Sequence, residues 1–179
     1  MAKKVIHIFG SAGAGTSTLG RSLSSMLGYF FMDTDDYYWA PVDPPFSVKR
    51  EPAKRVELMQ KDIDGHENIV LSGGLSGWGD VLIPEFTLAV RVETPTPIRI
   101  ERLKKRERDA FGSRIDPGGD MYKIHEDFIA WAARYDEGGL EIRSRARHDE
   151  WQKKLQCPVI QLDGSLPVET NLEIIKEYL

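Results

Sequence analysis

Nine consecutive residues hold the clearest chemistry in this sequence: Gly10-Ser11-Ala12-Gly13-Ala14-Gly15-Thr16-Ser17-Thr18. Glycines at this density let successive backbone N–H groups turn toward one point, and a helix starting there adds the positive end of its dipole. Such a nest suits an anion, above all a phosphate group. The spacing follows the phosphate-loop pattern G-x-x-x-x-G-K-[ST] at Gly10, Gly15 and Ser17, and departs from it at Thr16, where lysine belongs. Ser17 offers a hydroxyl that could ligate Mg²⁺. The absent lysine removes a charge-assisted contact to the terminal phosphates worth about 1.5–3 kcal/mol. Backbone amides can still hold a diphosphate, but catalysis would need a cation from elsewhere. The plain alternative is a strand-to-helix turn that binds nothing, and three glycines in six residues would then be costly without a use.

Two further clusters could face such a ligand. Asp33, Asp35 and Asp36 are carboxylates that could hold Mg²⁺ through water or take a proton from an attacking hydroxyl. One of them is expected to serve instead as a helix N-cap. Ser72-Gly73-Gly74-Leu75-Ser76-Gly77 permits close backbone approach to a bound group. Tyr37, Tyr38, Trp39 and Trp78 either stack on a planar substrate or pack as core and rim.

Cations are the next requirement. Arg99, Arg102 and Arg106 share a helix face by i, i+3, i+7 spacing, Arg143 and Arg147 share another, and Arg114 lies in a glycine-rich stretch. A basic helix face is ordinarily solvated. Guanidinium forks nevertheless suit phosphates, so Arg102, Arg106, Arg114, Arg143 and Arg147 are the candidate replacements for the lysine. His7, His66, His125 and His148 have no ligand spacing and are read as neither metal-binding nor catalytic.

These groups need elements to position them. Short apolar runs at residues 5–9, 29–32, 68–71, 86–92 and 159–162 read as strands. Helical spacing covers 17–27, closed by Gly28, then 51–63, 97–108, 120–136, 140–155 and 169–178, with Gly138-Gly139 between the fourth and fifth. Residues 40–48 are proline-rich and irregular. Strands alternating with helices imply an α/β fold, a parallel sheet covered on both faces with right-handed crossovers. Ligands sit at the carboxyl ends of such strands. The glycine loop, the aspartate cluster and the Gly73-Gly74 turn each follow a strand, so one site is expected to gather all three.

Composition bounds the rest. A chain of 179 residues fits a single domain spanning 1–179. A net charge of −4 argues against a nucleic-acid partner. No apolar run is long enough to span a bilayer, and Met1-Ala2-Lys3-Lys4 leads into a strand rather than a signal-peptide apolar region, so the cytoplasm is the expected compartment. The single cysteine, Cys157, has no internal disulfide partner and reads as a small packed residue at a strand start.

The order of these elements and motifs resembles the small P-loop kinases: adenylate kinase and other nucleoside monophosphate kinases, shikimate kinase and gluconate kinase. It is more similar still to small bacterial adenylate-kinase-like proteins with a lysine-less Gly-x-Gly-Thr-[Ser/Thr]-Thr-Leu-Gly loop. The resemblance covers nearly the whole chain in element order. Its motifs are confined to residues 10–18, Asp33 to Asp36, Gly73-Gly74 and the helix around Arg102. It implies a P-loop NTPase fold: three layers, α/β/α, around a five-stranded parallel sheet in the order 2-3-1-4-5, with a lid insertion at about residues 109–125. It implies ATP or ADP on residues 10–18, with Mg²⁺ at Ser17, Asp33 and Asp35. Asp33 and Asp35 match a D-x-D that serves Mg²⁺ and the acceptor hydroxyl. Asp36, Gly73, Gly74 and Trp78 would then line the acceptor, and Arg143 and Arg147 would match the arginines behind the lid. Arg102 and Arg106 match a pair that packs on adenine and reaches the phosphates, and Arg114 falls in the lid. Thr16 departs from all these families, which bears on kinase activity more than on nucleotide binding. The expected function is therefore phosphotransfer from ATP to a small-molecule or nucleotide acceptor, with lid arginines supplying the missing charge. The alternatives are a non-catalytic nucleotide-binding module and a nucleoside-triphosphate hydrolase. No membrane partner is expected, and the oligomeric state is not readable.

Overall fold

Val5, Ile6, His7, Ile8 and Phe9 are all buried, as in a strand covered on both faces. The computed structural model describes residues 3–179 and places this strand, β1 (Lys4–Gly10), at the centre of a five-stranded sheet. The others are β2 (Phe30–Asp33), β3 (Asn68–Ser72), β4 (Leu88–Glu93) and β5 (Val159–Asp163). Their order is β2-β3-β1-β4-β5 and every pairing is parallel. Register aligns the strand ends that matter: Ile8 and Asp33 both pair with Ser72, and Gly10 pairs with Val92. The glycine loop, Asp33 and the Ser72 turn thus leave the same edge of the sheet.

Two apolar layers sandwich the sheet. One packs Phe9, Met32, Met59, Ile63, Leu71 and Trp151; the other packs Ile8, Leu19, Leu23, Val70, Val90 and Ile175. The first layer includes residues of α3 (Pro52–Gly65) and α6 (Arg145–Gln152), the second residues of α1 (Thr16–Leu27) and α7 (Val168–Lys176). Over the carboxyl edge lie α2 (Thr34–Tyr38), α4 (Thr96–Phe111) and α5 (Tyr122–Ala133). Among the described residues no helix is long and apolar enough to cross a membrane.

Several boundaries differ from expectation, and those around the site are the ones that matter. The helix expected at 140–155 begins at Arg145, because the Ser144 hydroxyl accepts from the Arg147 N–H at 3.0 Å and caps it there. Arg143 therefore lies in the preceding turn and does not share a helix face with Arg147. The α4 helix runs on to Phe111, and α5 already covers residues 122–125. Only residues 112–121 between them are outside α-helix, with a short 3-10 helix at Gly112–Ile115. A second 3-10 helix, Asp80–Glu85, delays β4 to Leu88. Residues 40–48 are irregular as expected, but Trp39 and Lys49 bridge antiparallel and make the segment a hairpin-like flap.

Candidate functional site

The site is built on the turn from β1 into α1. For the loop N–H groups to face inward, its carbonyls must face outward and find partners there. Ala12 O accepts from Arg99 Nη1 at 3.0 Å, and Ala14 O accepts from Thr94 Oγ1 at 3.0 Å. Gly13 adopts φ 79°, and a Cβ there would lie 2.7 Å from the Arg99 carbonyl oxygen, so only glycine fits. Thr16 opens α1 in the lysine's place.

Asp33 combines the two roles weighed for the aspartates. Its Oδ1 accepts from the Asp35 N–H at 3.1 Å and caps α2, while its Oδ2 accepts from Ser17 Oγ at 2.7 Å. A hydroxyl and a carboxylate thus meet at the mouth of the loop. Asp35 keeps surface exposed to solvent, yet the protein atoms around it cost its carboxyl part of its hydration. That loss of hydration raises its carboxyl above the usual range; Arg143 and Arg106 oppose the shift, and Asp33 and Asp36 reinforce it. Asp36 is raised by the same loss of hydration and by Asp33, against Arg21 and Arg50.

The candidate arginines divide. Arg102 lies beside Gly15, donates to Gly164 O at 3.0 Å, and lines a cleft of about 250 Å³ with Ala14, Thr18, Leu19 and Val168. Arg106 sits 5.9 Å from the Phe128 ring and acts on Asp35. Arg143 lies 5.4 Å from the Trp131 ring and against Gly74, where a Cβ would come within 2.6 Å of its guanidinium. The Gly73-Gly74 turn is thus already filled, by Thr34 at Gly73 and by Arg143 at Gly74. Arg147 is turned onto backbone, donating to Ser76 O at 3.1 Å and Leu140 O at 3.2 Å. Arg114 is at the surface, ion-paired with Asp43 of the flap and with Asp120, each at 2.7 Å. The fold therefore gathers the loop, Asp33, Asp35, Arg106 and Arg143, and leaves Arg114 and Arg147 engaged elsewhere.

Two buried arginines escaped the sequence reading as site residues. Arg55 is 6% exposed, stacks 3.9 Å over Tyr38, lies 5.4 Å from the Trp78 ring, and donates to Arg50 O at 2.7 Å. Trp78 is fixed in turn by its Nε1 bond to Gly74 O at 3.1 Å. Arg99 is wholly buried under the loop. Each sits on its helix's inward row: Arg55 with Met59 and Ile63, Arg99 with Leu103 and Glu107. For Arg55 the available signal was a charge at i, i+4, i+8 with apolar residues; the row of Arg99 contains only one apolar residue, Leu103, and carries a weaker one.

The protein-family comparison matches residues 6–115 to the model of an AAA domain. The Bacillus subtilis protein YqaC, itself uncharacterized, is 42% identical over 177 residues, covering 99% of this chain and 98% of its own. A cytidylate kinase of Roseiflexus castenholzii is 31% identical over 167 residues, covering 83% of this chain and 70% of its own. Among solved structures, a shikimate kinase from Bacteroides thetaiotaomicron superposes with a TM-score of 0.59 at 17% identity, over 98% of this chain and 97% of that one, a likeness of fold. The chain belongs to this AAA domain family of small P-loop kinases.

Proposed function

We propose that this protein is an ATP-dependent phosphotransferase whose acceptor is a small molecule carrying both a hydroxyl and an anionic group. The observation that carries this reading is the placement of Asp35 in the cleft beside Asp33, the Ser17 partner, and under the influence of both Arg106 and Arg143. A hard cation site, a proton acceptor and two guanidiniums then converge where a γ-phosphate on residues 10–18 would end.

In this reading the acceptor oxygen bonds to the γ-phosphorus as the bond from that phosphorus to the β,γ-bridging oxygen breaks. ADP leaves with that electron pair, and the hydroxyl proton passes to Asp35. Transfer of this kind is governed by positioning and electrostatics. Arg106 and Arg143 offset the charge on the transferred group, the task Thr16 cannot perform. Hydroxyl and carboxylate oxygens are hard donors, and Ser17 and Asp33 already touch at 2.7 Å, so the pair fits Mg²⁺. Bound there, Mg²⁺ would neutralise charge on the phosphate oxygens. Arg55 and Arg143, each stiffened by an aromatic face, orient the anionic group of the acceptor. Trp78 and the Gly73-Gly74 turn hold those arginines in place. Residues 109–125 act as the lid, and Arg114 joins the phosphates only after leaving Asp43 and Asp120.

A second reading, a nucleotide-binding module without transfer, is favoured by Arg114 being satisfied by two carboxylates. Coupled ADP release separates the two. The assay uses nucleoside monophosphates and hydroxylated carboxylates as acceptors. Stimulation by at least one acceptor is expected. No stimulation by any, with ADP still bound in a parallel titration, would leave only the module.

A further inference from the structure

Arg99 is the largest fully buried side chain among the described residues. Its guanidinium has no carboxylate against it. Nη1 donates to Ala12 O at 3.0 Å and to Ala132 O at 3.2 Å, Nε to Thr94 O at 3.1 Å, and Nη2 to Thr96 Oγ1 at 2.6 Å. Every partner is a neutral oxygen. The acid on this network, Asp136, is one residue removed, accepting from Thr96 Oγ1 at 2.5 Å. The Tyr135 ring lies 5.2 Å from the guanidinium.

A buried guanidinium held by neutral oxygens is not neutralised by direct contact; Asp136 balances it only at one remove, through Thr96, and is itself paired with Arg145, so the charge is weakly screened toward the loop. Here it stands one peptide behind the phosphate nest. The peptide that accepts from it, Ala12, precedes Gly13, the residue pressed against the Arg99 backbone. The same guanidinium holds the C-terminal end of α5 through Ala132.

Building on the nucleotide reading proposed above, we infer that Arg99 is a positioning residue for the phosphate site. It pins the loop with its N–H groups inward and supplies from behind the positive charge that Thr16 does not supply from within. It also ties loop geometry to α5, so that loop and lid move as coupled parts.

Calorimetric titration of ADP tests this, on wild type, Arg99→Gln, Thr16→Lys and the double variant, with melting temperatures recorded alongside. Arg99→Gln should weaken ADP binding about tenfold or more, the scale of a lost charge-assisted contact. Thr16→Lys should recover most of that loss in the Arg99→Gln background and gain much less in the wild type. An arginine that is only a strut predicts no recovery by the lysine, and that result would overturn the inference. Unchanged ADP affinity in a folded Arg99→Gln protein would also overturn it. Should Arg99→Gln fail to fold, Arg99→Lys answers instead, since it keeps the charge and loses the fork. It should bind ADP a few-fold more weakly and be restored by Thr16→Lys; no change, or no restoration, counts against. A wild type that binds no ADP rejects the nucleotide reading itself, a different result from either.

Discussion

The inner cleft and its outer rim treat arginine in opposite ways. Inside, Arg99 is held by backbone carbonyls and a hydroxyl, Arg55 by a carbonyl and two aromatic faces, and Arg143 by a glycine and Trp131. On the rim, Arg114 is matched to Asp43 and Asp120, Arg108 to Asp116, and Arg145 to Glu93 and Asp136. Carbonyls and rings fix a guanidinium without neutralising it, whereas carboxylates cancel the charge they bind. The pairs of Arg108 and Arg114 are exposed and contribute little to stability. The inner arginines offer positive charge to an anionic ligand, and Asp33 and Asp35 stand among them.

Breaking the inner cleft should have the largest effects. Asp35→Asn should lower kcat about 10²-fold or more while leaving ADP affinity nearly unchanged, the pattern of a lost general base. Initial-rate kinetics with the acceptor found in the panel check it. Arg55→Met and Arg143→Met should each raise the acceptor KM about tenfold or more, the cost of a lost contact to a charged group. Arg143→Met should also lower kcat, because Arg143 serves both acceptor and phosphate, and that split between the two variants sharpens the assignment.

A third expectation concerns buried groups that must stay neutral. His7 is wholly buried between Phe9 and Phe86, and burial pushes its pKa from 6.5 to about 3. His148, bonded to the Tyr135 hydroxyl at 2.8 Å, is pushed to about 3 by burial first and then by Arg143 and Arg91. The unfolded chain takes up both protons as pH falls below 6.5, while the native state resists until about 3. Their stability contribution is therefore full above pH 6.5 and declines toward pH 3, by about 1.4 kcal/mol per pH unit for each histidine. Urea unfolding at several pH values in this window measures the slope, and His148→Gln should reduce it. The smallest effect is expected on the rim. Asp43→Asn removes one of two carboxylates from Arg114 and should leave both melting temperature and ADP affinity unchanged. A clear loss in either would mean that the flap-to-lid pair matters more than its exposure suggests.

Much of this arrangement is legible in the sequence. The central strand is buried on both faces, so its residues form an unbroken apolar run, and the loop that follows announces itself by glycine spacing. Parallel topology implies that the loop, the aspartates and the glycine turn share one edge, while the strand order and the grouping of Asp33 with Ser17 come from the resemblance to small P-loop kinases. Arg99 and Arg55 were harder, because a charged residue defaults to the surface unless its helical row is inspected. Arg143 was misplaced because Ser144, a single capping hydroxyl, starts α6 later than periodicity suggests. The contents of the Gly73-Gly74 turn were not readable at all. Glycines signal that something comes close, and here it is an arginine from 69 residues further on rather than open space for a ligand.

Titration of ADP into the wild-type protein with and without Mg²⁺, repeated on Ser17→Ala, is the most direct test of all this. We expect saturable one-to-one binding that strengthens with Mg²⁺, and loss of the Mg²⁺ dependence in Ser17→Ala. No binding at any soluble ADP concentration, or binding indifferent to Mg²⁺ and to Ser17, would contradict a nucleotide site built from a lysine-less loop and relocated charge.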